Sequence, residues 1–372
     1  MKLLSFELKK IIFDKKFLYL TLILIAGVVV LFMKNVLFES YVEKEQVQEV
    51  ESYITTSKSN ERMLENTLET NPENEEELQH LLAVNTEMLG TLYELRDLLS
   101  ADDWQSKLEL ENTFLTATEE YKESGGDYPL TINEIEKRIA LNQKLLKENI
   151  EPEHDSFSTA LPNFLKIVMS LLLNLGAIVM IILFTGDVMS SEYEQRSINL
   201  LFTQPLNKIH IVTGKLVSAI LILIVLIFVV FASAVLAGGI FGKTGTFDYP
   251  VLTEINNEII FITIQDYLIK GLTIIGIVVL FITTLSLLFS LFFKHTLSTI
   301  AALSIALLGG YVLTYLPWNG LFWLNPFQYV LAENAILYQN NRVWYQGITV
   351  SVIVAIACYF FSLYKIKSSK LD

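Results

Sequence analysis

Long apolar runs alternate with polar segments along this chain. The hydrocarbon core of a bilayer, about 30 Å thick, needs roughly 20 apolar residues in a helix. Six runs reach or approach that length: residues 17–37, 164–184, 216–237, 267–292, 297–316 and 348–364. The pattern therefore predicts an all-α, polytopic membrane protein with six transmembrane helices. Because the last run is short, five spans plus a re-entrant segment is the alternative.

The polar segment between the first two runs has a helical pattern of its own. Apolar positions step by three and four through Leu78, Leu81, Asn85, Met88, Leu92, Leu95 and Leu99, a heptad seam with one polar member. Asn71-Pro72 signals the start of this helix, residues 103–121 favour another, and Thr131 with Glu134 opens a third as a capping box. We expect a coiled-coil-like helical domain over residues 39–160, with Asn85 and Asn142 as possible register-setting partners. The membrane parts are then residues 1–38 and 161–372.

The first 16 residues form a separate pattern. Leu4, Leu8, Ile11 and Ile12 share one face of a helix, and the lysines lie largely elsewhere. This arrangement is typical of a helix in the membrane interface. An ordinary charged flank of the first span is the alternative.

Charge is distributed unevenly along the chain. The net charge is −13, but residues 39–155 carry 29 acidic and 10 basic side chains and everything else is net positive. Lysines and arginines of short loops favour the cytoplasm, which predicts a plasma-membrane protein with both termini cytoplasmic and residues 39–160 extracellular. The acidic balance argues against a nucleic-acid partner, since phosphate binding needs clustered cations.

The sequence offers little for catalysis. The nearest approach to a phosphate-binding loop is Gly242-Lys243-Thr244, which lacks the first glycine of that motif. Four scattered histidines and one cysteine, Cys358, provide no metal-ligand spacing. We therefore expect no enzymatic activity and no metal or cofactor bound by this chain.

The most informative segment is the loop of residues 186–215. Ser190 to Thr203 is predicted to form an amphipathic helix that Pro205 ends, with Glu192 and Glu194 on its solvated face. A short helix on the cytoplasmic face would present a docking surface to a soluble partner.

The loop resembles that of the membrane permeases of ABC-2 type exporters. The residues that match the family pattern in order are Asp187, Ser191, Glu192, Glu194, Ser197, Leu200, Leu201, Pro205, Ile209 and Lys215. The Gly-Thr usual in the family is here Arg196-Ser197. The resemblance implies a coupling helix that docks on a separate cytosolic ABC ATPase, which binds ATP and Mg²⁺, and a dimer with a second permease copy or a sister permease. The large insert is similar to that of sodium and drug efflux permeases.

Two polar residues stand out as candidates for a substrate path. Asn174 falls in the middle of the second run, where it could instead hydrogen-bond a neighbouring helix. Glu333 could belong to an outer re-entrant pair of short helices or be an exposed loop acid. Export of a drug, antimicrobial peptide, lipid or ion fits the resemblance. A non-transporting sensor or immunity protein that binds an extracellular peptide is the alternative function.

Overall fold

The computed structural model describes residues 2–70, 74–198, 207–315, 324–339 and 343–368, and these are predominantly helical, as predicted. Five helical stretches are long and apolar enough to cross a membrane: Lys15–Thr70, Leu161–Glu194, Lys208–Phe241, Ile264–Phe293 and Ile348–Ser368. The apolar helix Thr296–Val312 has only 17 residues. Of the six predicted membrane helices, the short one is therefore the fifth and not, as the sequence had suggested, the last. The count of six spans remains a prediction.

The first span continues without a break into the insert. Helix α1 covers Lys2–Ile12, where an interfacial helix was predicted, and α2 covers Lys15–Thr70. At 1.5 Å per residue the 56 residues of α2 extend about 84 Å. The predicted domain boundary at residue 38 therefore falls inside one continuous helix.

The insert is a helical bundle, as predicted. It consists of the outer part of α2 and three further helices, α3 (Glu75–Leu98), α4 (Trp104–Glu123) and α5 (Ile132–Glu148). Helix α3 packs on α2, α4 on α3, and α5 on α4. Met88, Leu92, Leu115 and Ile135 form its fully buried centre, and the Thr131 capping box is present.

The proposed pairing of the two asparagines of the insert is wrong. The Nδ2 of Asn85 donates to the main-chain oxygen of Ser57, 2.9 Å away in α2. Asn85 therefore joins α3 to α2, while Asn142 lies on α5. The predicted helix start at Asn71-Pro72 lies outside the described residues.

The second membrane stretch is interrupted halfway along. It consists of α6 (Leu161–Leu171), a π-helix (Leu172–Gly176), α7 (Ala177–Thr185) and, after a turn, α8 (Ser190–Glu194). A π-helical turn shifts its hydrogen bonds by one residue. The oxygen of Leu173 accepts a hydrogen bond of 2.9 Å from the amide of Ala332. A segment from late in the chain thus reaches the middle of this stretch.

The remaining elements complete the membrane part and add a small sheet. The helices are α9 (Lys208–Phe241), α10 (Ile264–Phe293), α11 (Thr296–Val312), α12 (Glu333–Leu337) and α13 (Ile348–Ser368), with 3-10 turns at Leu313–Tyr315 and Pro326–Tyr329. The strands are β1 (Pro250–Ile255), β2 (Glu258–Thr263) and β3 (Tyr338–Gln339), in the order β2-β1-β3. The prediction of an all-α chain missed this sheet.

Both ends of the described chain meet the loop between the second and third membrane stretches. Glu7 of α1 lies beside Lys215 of α9, and Ile366 of α13 packs in one cluster with Met189 and Ile198. We name this end of the bundle the basal end and the end that carries the insert the distal end. An even number of crossings fits this arrangement.

Candidate functional site

Four charged side chains form a cluster at the basal end. The Nζ of Lys215 lies 2.9 Å from Oε1 of Glu192 and 3.4 Å from Oε2 of Glu7, and the Nζ of Lys10 lies 2.7 Å from the same Glu192 oxygen. The Glu192 and Lys215 side chains are only 5% and 4% exposed. We call these four residues the basal charge cluster. Its two carboxylates balance two ammonium groups, which is the condition under which buried charge is tolerated.

Lys10 is the more exposed cation of this cluster. Partial burial lowers the pKa of its ammonium group, but the hydrogen bond and the negative charge of Glu192 outweigh that effect and hold the pKa above its usual value. Lys10 therefore stays positively charged at neutral pH, and the cluster keeps its balance.

The second glutamate of α8 contacts a different helix. Glu194 accepts hydrogen bonds from the amide and the Oγ1 of Thr296, at 2.7 and 3.0 Å. Thr296 is the first residue of α11, where helical amides lack partners within the helix. Glu194 thus caps α11 from another element, and His295 lies 3.7 Å from it.

The other predicted loop residues lie close to this site. Asp187 pairs with Lys16 at 2.6 Å, the amide of Ser191 donates to the oxygen of Asp187, and Ser197 donates to the Glu192 carboxylate. Leu200, Leu201 and Pro205 lie outside the described residues. The expectation that Glu192 lies on a solvated face is wrong, because its carboxylate is buried against two lysines.

The predicted helix from Ser190 to Thr203 is interrupted. Helix α8 ends at Glu194, and Arg196 adopts a φ of 57°. An L-residue with a side chain is strained in this left-handed region, whereas glycine is not. Permeases of the family that this loop resembles usually have glycine at the position of Arg196. The sequence therefore differs from the family pattern at the residue of this turn whose positive φ favours glycine.

We expect Arg196→Gly to stabilise the protein by about 1 kcal/mol, because glycine adopts a positive φ without steric cost. Arg196→Val should destabilise it, since a β-branched side chain fits this conformation worst. Thermal unfolding of the purified variants measures both effects. Gln195→Gly is the matched control, because Gln195 has a φ of −82° and gains nothing from glycine. Equal effects of glycine at both positions would contradict the argument.

Asn174 and Glu333, the two predicted substrate-path residues, are in direct contact. The Nδ2 of Asn174 donates to Oε2 of Glu333 at 2.6 Å, and the hydroxyl of Tyr267 donates to Oε1 at 2.7 Å. Asn174 lies in the π-helix, Tyr267 in α10 and Glu333 at the start of α12. We name these three residues the distal polar triad.

Three site residues were not identified from the sequence. Glu7 and Lys10 lie in a lysine-rich helix that was interpreted only as a membrane-interface element, yet an acid on such a helix is a signal for an ion pair. Tyr267 lies among apolar residues at the start of a span, and nothing in the sequence connects it to Glu333.

A family model described as ABC-2 family transporter protein matches residues 1–352. No curated protein and no solved structure matches the chain. The match includes α1, the insert, the basal charge cluster and the distal polar triad. The chain therefore belongs to the ABC-2 family of transporter proteins, as a multi-pass membrane permease subunit of an ABC transporter.

Proposed function

We propose that this permease is the membrane subunit of an ATP-driven exporter and that a separate cytosolic ABC ATPase drives it through the loop of residues 186–215. ATP and Mg²⁺ bind to that ATPase, and this chain holds no cofactor. The basal end then faces the cytoplasm and the acidic insert faces outward, in the plasma membrane. A second permease copy or a sister permease completes the transporter.

The observation that carries this proposal is the set of contacts made by α8. Glu192 joins α8 to Lys10 of α1 and to Lys215 near the start of α9. Glu194 joins α8 to the start of α11. A force on this one short helix would therefore act on three further helices at once, which is what a coupling element must do.

Within the described part of the loop, one exposed turn offers a surface to a partner, and we call this turn the tip. Glu194, Gln195 and Arg196 are exposed and follow one another at the turn that ends α8. Because the buried residues behind the tip are fixed by ion pairs, pressure on the tip would shift α8 as a unit instead of bending it.

The test is purification of the complex from native membranes, with identification of an associated ATPase by its phosphate-binding motif. Gln195→Trp places a bulky side chain on the exposed tip, so we expect loss of the associated ATPase and of transport without loss of the folded permease. Gln265→Trp is the matched control, because Gln265 is an exposed glutamine in the first turn of α10, at the distal end. Retention of the ATPase by Gln195→Trp would contradict docking at the tip.

A further inference from the structure

A large groove runs between the first and second membrane stretches. Its volume is about 1360 Å³, and it extends from Lys16 of α2 at the basal end to Lys137 of α5 in the insert. From Lys16 to Lys34, α2 alone follows it for about 27 Å. The exposed apolar and aromatic side chains that line it are Tyr19, Ile23, Leu171, Leu175, Val179, Leu183 and Tyr338. Because all of these side chains except Tyr338 lie on the membrane stretches, we expect the groove to open to the apolar part of a bilayer.

The lysines at the rim are largely neutralised by the protein itself. Lys16 pairs with Asp187 and Lys166 with Asp155, each at 2.6 Å, and Lys137 pairs with Glu254. Lys34 lies 4.5 Å from the centre of the Phe157 ring. Among the described residues of the rim, Lys34 is therefore the one lysine without a carboxylate partner.

Glu333 is different, because the two hydrogen-bond partners that it has among the described residues are neutral. Its carboxyl group lines the groove and accepts hydrogen bonds from Asn174 and Tyr267. In the part of the chain that the structure describes, no lysine, arginine or histidine forms an ion pair with it. A carboxylate at this depth is costly unless a cation compensates it.

We propose that the groove binds a lipophilic cation that enters from the bilayer, with its positive group against Glu333 and its apolar part between the first and second membrane stretches. Asn174 and Tyr267 hold the carboxyl group in position through neutral hydrogen bonds. The positive group of the ligand then compensates its negative charge. That this ligand is the exported substrate rests on the function proposed above.

The test uses two probes of the same shape and opposite charge, tetraphenylphosphonium and tetraphenylborate. Binding to the purified full-length permease in maltoside micelles is measured without ATPase, and binding to protein-free micelles is subtracted. We expect the wild-type protein to prefer the phosphonium. Glu333→Gln keeps the shape and loses the charge, so phosphonium affinity should fall about tenfold while borate affinity does not fall.

Asp248→Asn is the matched control. Asp248 is an exposed acid next to Tyr249, which lines the groove, and its loss should leave both affinities unchanged. An equal loss of phosphonium binding in both variants would show attraction by the general acidity of the protein and overturn the site. Equal binding of both probes to the wild type would overturn the charge preference, and preference for borate would indicate an anionic ligand.

Absence of binding of both probes to the wild-type protein would also overturn the proposal. If Glu333→Gln does not fold, the wild-type preference decides alone. Since the assay contains no ATPase, its failure leaves the co-purification result for the exporter function untouched.

Discussion

Replacement of Lys215 by methionine should destabilise the protein by about 3 kcal/mol and, under the function proposed above, abolish coupling to the ATPase. Methionine keeps the apolar stem of the side chain but removes its ammonium group. Glu7 then loses its ion-pair partner and Glu192 keeps only Lys10, and removal of one partner from a buried ion pair generally costs several kcal/mol. Thermal unfolding in detergent should show a decrease of about 5 °C in the apparent Tm.

The double variant Lys215→Met with Glu192→Gln provides the sharper test. It removes one charge of each sign, so the remaining Glu7 and Lys10 still balance. We expect it to be more stable than the Lys215→Met variant, because the two changes act on one interaction and are not additive. Lys367→Met, at an exposed lysine of α13, should have no effect. A double variant whose loss equals the sum of the two single losses would contradict the cluster.

Gly310→Ala should destabilise the protein by about 1–3 kcal/mol through overpacking, whereas Gly309→Ala should not. A Cβ at Gly310 would overlap the Phe327 ring, while one at Gly309 would meet no atom of the described chain within 4 Å. Phe327 packs edge-on against Phe281 of α10, and the Nδ2 of Asn325 donates to the oxygen of Gly310. The clash would therefore displace the segment that leads to Glu333.

Thermal unfolding of the two neighbouring variants measures this difference directly. A second readout is the preference for phosphonium over borate, which should weaken in Gly310→Ala if displacement of Phe327 moves Glu333. Equal stability of the two alanine variants would show that the ring moves aside without cost.

The sequence predicted the elements better than the contacts between them. Apolar runs and caps depend on neighbouring residues, so the spans, the helices of the insert and the Thr131 capping box could be placed. The basal charge cluster joins residues 7, 10, 192 and 215. Residues this far apart in the chain produce no periodic pattern from which their contact could be predicted. Glu192 was assigned to a solvated face because local amphipathicity does not reveal that two lysines from other helices cover it.

The small sheet was missed although a signal for it exists. Asn256 and Asn257 have φ values of 53° and 67°, as the central residues of a tight two-residue hairpin turn require, and the segments on both sides are rich in β-branched residues. The hairpin was overlooked because long apolar helices dominate the pattern on both sides. Asn174 and Glu333 were both singled out as candidates for a substrate path, but only the fold could show that they touch.

The π-helix at Leu172–Gly176 sets the rotational phase between the two halves of the second membrane stretch. Each residue added to or removed from a helix turns everything beyond it by about 100°. The extra residue of this wide turn therefore fixes which way α7 faces when Asn174 points at Glu333. Since α7 leads into the turn that precedes α8, a change in the number of residues in the π-helix would rotate the start of that turn relative to the distal polar triad.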